Sequence, residues 1–155
     1  MAAAALCGYR LGFGLDAIRH TLARFGLQAQ DNPGRLQRWQ FGDVRVLLDY
    51  AHNPDGMRGF LDIAQTLRGD CRMAVLLGQA GNRENDDIVK LAETVARFNP
   101  DFVALKDMAG YERGRAAGEV PALLHSVLLQ NGLDASRVHT QLNELQAVRD
   151  VLNWS

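Results

Sequence analysis

Leu47-Leu48-Asp49-Tyr50-Ala51-His52-Asn53-Pro54-Asp55-Gly56 is the stretch that decides the fold of this chain. It reads as a buried strand that ends on a carboxylate, with a histidine three residues later. Asn53 then suits a helix N-cap, Pro54 the first helical position and Asp55 the first turn. The helix that follows would point unpaired N–H groups at the ligand edge of a sheet, where an anion can be received. The residues alone leave two readings open. One is such an anion site; the other is a well-capped helix in which Asp49 and His52 only tie down the loop.

Working outward, residues 36–41 and 44–49 are two strand-like runs joined by Gly42-Asp43, the order of a hairpin. Downstream, Met57, Phe60, Leu61, Ala64 and Leu67 recur at helical spacing. Residues 71–77 form an apolar run ending in Gly78, which suits a strand buried on both faces. Ile88, Leu91, Ala92 and Val95 mark a second helix, and residues 102–105 another apolar strand. Val120, Leu123, Leu124, Val127 and Leu128 mark a third helix and residues 138–141 a short strand. Leu142, Leu145, Val148 and Leu152 mark a fourth helix. Such alternation predicts an α/β, Rossmann-like, mainly parallel sheet with helices on both faces and an N-terminal β-hairpin. Ligands in such folds bind beyond the carboxyl ends of the strands, so the loops after Leu48, Leu77 and Leu105 are the candidates.

Upstream of the hairpin, Asp31-Asn32-Pro33-Gly34 is a strong linker signal. Before it lie two short helical segments punctuated by Gly12, Gly14 and Gly26, about 25 residues in all and too small to fold alone. The domain boundary is therefore expected there, with 1–32 a helical tail and 33–155 the main domain. Met1 reads as an added start, because the segment behind it looks like the tail of something longer. A further strand is expected to be missing after Trp154-Ser155.

The 155 residues, 47% hydrophobic and 23% charged, are ordinary for one globular domain with a real core. A net charge of -1 and no basic run argue against a nucleic-acid partner. The N-terminal apolar run has no basic residues before it and is too short to span a bilayer, so no membrane partner is expected either. Cys7 and Cys71 lack CxxC spacing, and His20, His125 and His139 show no ligand spacing with them; no metal site is expected. The cysteines read as reduced, partly buried thiols of a cytoplasmic protein.

The stretch Asp49-Tyr50-Ala51-His52-Asn53-Pro54 resembles the signature that opens the C-terminal domain of Mur ligases, folylpolyglutamate synthetases and cyanophycin synthetases. Pro33-Gly34-Arg35-Leu36 resembles the Gly-Arg element with which those enzymes leave their central domain, at a fitting distance. Residues 77–83 resemble the Gly-rich loop after the next strand, with Asn82-Arg83 where many relatives have Asp-Arg. Lys106-Asp107 and Arg113-Gly114-Arg115 look closest to the ligase half of cyanophycin synthetase. The first 30 residues match the last helices of the central domain, so the resemblance covers nearly the whole chain.

The resemblance implies an ATP-dependent, ADP-forming ligase. A substrate carboxylate attacks the γ-phosphate of ATP, and an amine then displaces phosphate from the acyl phosphate. Positioning and charge neutralisation supply most of such catalysis. The central ATPase domain, the implied partner, would supply the phosphate loop and most of the magnesium ligands; this domain would close over the nucleotide and present an amino acid. Arg35, Asp49, His52 and Asn53 would then be nucleotide-side residues. Lys106, Asp107, Arg113 and Arg115 would hold the amino acid, with Arg113 and Arg115 pointing the same way if the loop is extended. Gly78, Gly81, Asn82 and Arg83 would form a supporting loop. The plainer readings stay open: Arg35 paired with Asp31, residues 78–83 a turn, and 106–115 a solvated loop. No Gly-Lys-Thr/Ser motif is present, so the chain alone is expected to be inactive. The alternative is a receiver-like or other nucleotide-binding α/β module, with Asp49 as the acceptor and Lys106 as the later lysine.

Overall fold

A computed structural model describes residues 2–26 and 31–155; Met1, read above as an added start, and residues 27–30 lie outside the described residues. The chain divides into two compact units, Met1–Tyr50 and Ala51–Ser155.

The first unit holds helices α1 (Ala2–Arg10) and α2 (Leu15–Arg24), then strands β1 (Gln37–Phe41) and β2 (Val44–Leu48). The strands form an antiparallel hairpin in the register Phe41↔Val44 to Gln37↔Leu48. Gly42 closes it at φ 57°, a conformation that favours glycine and suits a two-residue turn. Neither helix has a buried residue. Leu6, Tyr9, Leu11, Phe13, Leu15 and Phe25 are all exposed. The strand before Asp49 is not the fully buried strand expected: Val44, Val46 and Leu47 are half-buried and Leu48 is 48% exposed.

The second unit alternates helix and strand: α3 (Pro54–Arg68), β3 (Ala74–Leu77), α4 (Asn85–Arg97), β4 (Phe102–Leu105), α5 (Glu119–Gln130), β5 (Val138–Thr140) and α6 (Glu144–Trp154). A 3-10 turn, Ala135–Arg137, precedes β5. The three strands are parallel in the order β3-β4-β5. The period-2 alternation of strand side chains then divides the core. Val75, Leu77, Val103 and Leu105 face Met57 and Leu61 of α3, Ile88, Leu91 and Val95 of α4, and Leu124 and Leu128 of α5. Ala74, Leu76, Phe102 and Ala104 face Ala147, Val151 and Trp154 of α6. Three helices thus cover one face and one covers the other, the α/β layering expected.

Two expectations need correction. The alternation leads one to expect residues 102–105 to pair next to the strand of Asp49; β4 pairs instead with β3 and β5, and β2 pairs with β1. In α6 the inward face is Ala147, Val151 and Trp154, while Leu145 and Leu152 are 72% and 46% exposed. The leucines share a helical period with the true face but lie on another side. Trp154 fixes the rotation: it stacks on Phe102 at 5.2 Å and carries the Arg72 guanidinium 4.4 Å above its ring.

Candidate functional site

In the first unit the Pro-Gly-Arg turn is held by the carboxylate that ends the hairpin. Asp49 Oδ2 accepts the backbone N–H of Leu36 at 2.8 Å. Leu36 sits at φ 45°, in the left-handed region that costs a branched residue about 1–2 kcal/mol. Gly34, at φ 72°, donates its N–H to Gln37 Oε1 at 2.9 Å. The turn is therefore a built feature, and it leaves Arg35 exposed with its guanidinium 5.3 Å from the centre of the Tyr50 ring. Tyr50 was not singled out in the sequence, although it lies inside the decisive stretch. A cation beside an aromatic face is a surface suited to phosphates and a planar base.

In the second unit, Asn53 caps α3 as its sequence implies: its Oδ1 accepts the Gly56 N–H at 2.8 Å, with Pro54 at the helix start. His52 is half-buried, and its carbonyl accepts the side-chain N–H of Gln79 at 2.9 Å. Gln79 is 5% exposed, so it joins the start of α3 to the loop after β3. It too was missed; the signal was a polar residue directly behind a buried strand.

The loops after β3 and β4 lie against each other at the carboxyl edge of the sheet. The Gly81 N–H donates to the Tyr111 carbonyl at 2.8 Å. A Cβ on Gly81 would lie 1.9 Å from the Glu112 carbonyl oxygen, so no side chain fits there. At Gly78 it would meet the Lys106 carbonyl at 3.0 Å. Both glycines answer to close backbone approach rather than to flexibility.

The loop after β4 is folded, not extended. Arg113 has φ 52° and its guanidinium lies over the Tyr111 ring at 5.2 Å. Arg115 turns inward: Nε donates to the Gly81 carbonyl at 2.9 Å, Nη2 to the Arg83 carbonyl at 2.8 Å and Nη1 to Glu119 at 2.8 Å. The two guanidinium groups thus have separate surroundings, because the left-handed turn at 113–114 breaks the expected alternation. Lys106, 12% exposed, is ion-paired to Glu144 at 3.1 Å. Asp107 Oδ2 accepts the Gly118 N–H at 2.8 Å, at the start of α5. Hydrogen bonds from the Ala116 N–H and from Arg115 hold the Glu119 carboxyl below the usual glutamate value. The Glu112 carboxyl is lowered by its own N–H and that of Gly110.

Among the described residues no group of three or more histidine, cysteine or acidic side chains is arranged to hold a metal ion. Cys7 and Cys71 are exposed rather than partly buried, and they form no disulfide. No helix of the described residues is long and apolar enough to cross a membrane.

A family model described as "Mur ligase, glutamate ligase domain" matches residues 34–153. The cyanophycin synthetase of Crocosphaera subtropica is 30% identical over 146 residues, which is 94% of this chain and 16% of that protein. A UDP-N-acetylmuramoyl-L-alanyl-D-glutamate–2,6-diaminopimelate ligase of Gloeobacter violaceus is 36% identical over 100 residues, 63% of this chain and 19% of its own length. The chain therefore spans well under a quarter of these relatives. Among solved structures, a ligase of the latter name aligns over 99% of this chain and 29% of its own, with TM-score 0.62 at 20% identity. The folylpolyglutamate synthase of Thermotoga maritima aligns over 93% of this chain and 30% of its own, with TM-score 0.57 at 16% identity. At such identities the structural likeness is one of fold.

Proposed function

This chain belongs to the Mur ligase family, and from that premise we propose that it is the C-terminal, amine-presenting domain of an ATP-dependent carboxylate–amine ligase. The observation that carries the reading is the turn at 33–36. An exposed guanidinium stands next to an aromatic ring, on a turn held by the carboxylate of the stretch that resembles the family's motif. A pre-set cation of this kind suits the phosphate end of a nucleotide, where charge builds as a phosphoryl group moves.

In this proposal Arg35 neutralises phosphate charge and Asp49 keeps Arg35 in place, with a further contact from Asp49 to nucleotide allowed by its second oxygen. His52 and Asn53 shape the start of α3. ATP supplies the activating phosphoryl group; magnesium is held mainly by the central domain. The substrate carboxylate becomes an acyl phosphate, and the amine of an incoming amino acid displaces phosphate to leave an amide. The second unit presents that amino acid from the edge formed by the loops at 78–84 and 106–118. The enzyme is read as cytoplasmic.

The first unit supports this assignment physically. Residues 6–25, which span most of α1, all of α2 and their flanking turns, expose six large apolar side chains, and neither helix buries a residue, so the segment needs a further layer. We assign that layer to the central ATPase domain of the parent protein. A receiver reading fits less well, since a receiver carries its acceptor on a parallel strand and Asp49 follows an antiparallel hairpin.

The parent enzyme tests this directly. Incubated with ATP, magnesium and candidate amino acids, it should release ADP and phosphate in step with amide formation. This chain alone should hydrolyse no ATP, because a site shared between domains forms only on closure. Stoichiometric AMP release, or ATP turnover by this chain alone, would overturn the assignment.

A further inference from the structure

Among the described residues two polar side chains are buried, Gln79 and Thr94. The Thr94 hydroxyl bonds within its own helix, to the Lys90 carbonyl one turn back at 2.8 Å. Gln79 instead reaches 27 residues up the chain, where its Nε2 donates to the His52 carbonyl at 2.9 Å. That is the one bond its side chain makes among the described residues. Burying an amide costs about 1–3 kcal/mol unless it is hydrogen-bonded, so an apolar residue would be the ordinary occupant of this place. Both ends of the link are rooted. Behind Gln79, the Lys106 N–H donates to the Leu77 carbonyl at 2.9 Å, and the Lys106 carbonyl would lie 3.0 Å from a Cβ on Gly78. Ahead of it, the Gly81 N–H donates to the Tyr111 carbonyl at 2.8 Å. At the other end, Ala51 packs on the core, while Asn53 accepts the Gly56 N–H on its side chain at 2.8 Å and the Met57 N–H on its carbonyl at 2.9 Å. His52 lies between these two anchors, and Gln79 holds its carbonyl.

We propose that Gln79 is a positioning residue of the ligase site: through the His52 carbonyl it locks the turn at 52–53, on the nucleotide side, to the loop at 78–84, on the amine side. The inference rests on the ligase reading above. In that reaction the amine must meet the carbonyl carbon of the acyl phosphate at a set distance and angle, and a displacement of about 1 Å can cost a factor of roughly 100 in rate. A turn and a loop that move as one body keep that geometry between the two halves of the site. The bond suits the task for a chemical reason. A backbone carbonyl only accepts, so the end of the side chain that meets His52 must be the amide N–H end, which neither a hydrocarbon nor a carboxylate supplies. Gln79 thus acts through the turn rather than on a ligand.

The test uses the full-length ligase with Gln79→Leu, which keeps the bulk and removes the donor, and Gln79→Asn, which keeps the amide one carbon short. Asn53→Ala and the double variant Gln79→Leu/Asn53→Ala complete the set. Both Gln79 variants should lower kcat by about 10- to 100-fold, with the Michaelis constants for ATP and for the amino acid changing less. The double variant should lose less than the product of the two single losses, because both residues act through one turn. Hydrogen exchange on the same proteins is the second measurement: Gln79→Leu should speed exchange of the Gly56 and Met57 amides, which Asn53 holds, and leave β4 and α5 protected. If the leucine variant does not fold, Gln79→Asn carries both measurements. A rise confined to one Michaelis constant would make Gln79 a ligand contact and overturn the proposal. An unmoved kcat, multiplying losses, or unchanged exchange at residues 56 and 57 would overturn it too. A wild-type enzyme that forms no amide refutes the ligase reading and the catalytic role of Gln79 with it, while hydrogen exchange still decides whether Gln79 holds the turn.

Discussion

Replacing Asp49 with alanine separates the local role of this residue from any role in catalysis. The carboxylate holds one backbone N–H at 2.8 Å, and that N–H belongs to a leucine at φ 45°. A hydrogen bond to a charged acceptor contributes about 1.5–3 kcal/mol. The left-handed leucine itself is worth about 1–2 kcal/mol of strain, released once the bond is gone. The turn should therefore open in Asp49→Ala, and exchange of the Leu36 amide should rise roughly 10- to 150-fold, the factor that 1.5–3 kcal/mol represents. The second unit, with its own core, should keep its unfolding transition. Amide-resolved hydrogen exchange reads the turn, and steady-state kinetics of the parent enzyme read the consequence for ATP. Adding Leu36→Gly removes the strain, since glycine adopts this conformation freely. The double variant should recover protection in the hairpin. Recovery of activity along with it would show that Asp49 acts through Arg35; a persistent defect would show direct contact with nucleotide. An unchanged Leu36 amide in Asp49→Ala would refute the reasoning altogether.

Gly81→Ala must displace the Glu112 backbone, which lies 1.9 Å from the added carbon, and should destabilise the second unit by about 1–3 kcal/mol in denaturant titration. Leu124→Ala removes a fully buried side chain from the face that α5 packs on the sheet, and a loss of about 2–5 kcal/mol is expected in the same assay. Glu112, Glu119 and Asp134 all titrate below their ordinary values, held there first by backbone hydrogen bonds for the two glutamates and by the Ser136 hydroxyl for Asp134. A carboxyl lowered in the folded state stabilises fully above its unfolded value and ceases to do so as pH falls through the lowered one. Stability should thus be flat near neutrality and decline as pH drops below about 4.5, with Glu119→Gln flattening part of that decline in thermal melts taken across pH.

The element order, the hairpin and the cap of α3 were legible in the sequence, because each depends on a few neighbouring residues: Gly42 for the turn, Asn53 and Pro54 for the helix start, the apolar period for the rest. The partnership of Asp49 with Leu36, 13 residues away, was not, since a spacing says nothing about which N–H a carboxylate will meet. Nor was the strand order, which places β4 between β3 and β5. The helical period of α6 left its rotation open, and Trp154 packing on Phe102 settled it. The loops show the division most sharply. The sequence put Arg83, Arg113 and Arg115 on candidate loops, with a resemblance to give them roles. Their separation into a clasped, a ring-bound and an unpartnered guanidinium came only from tertiary contact, because an arginine's role is set by which acceptors the fold brings within reach of its five donors.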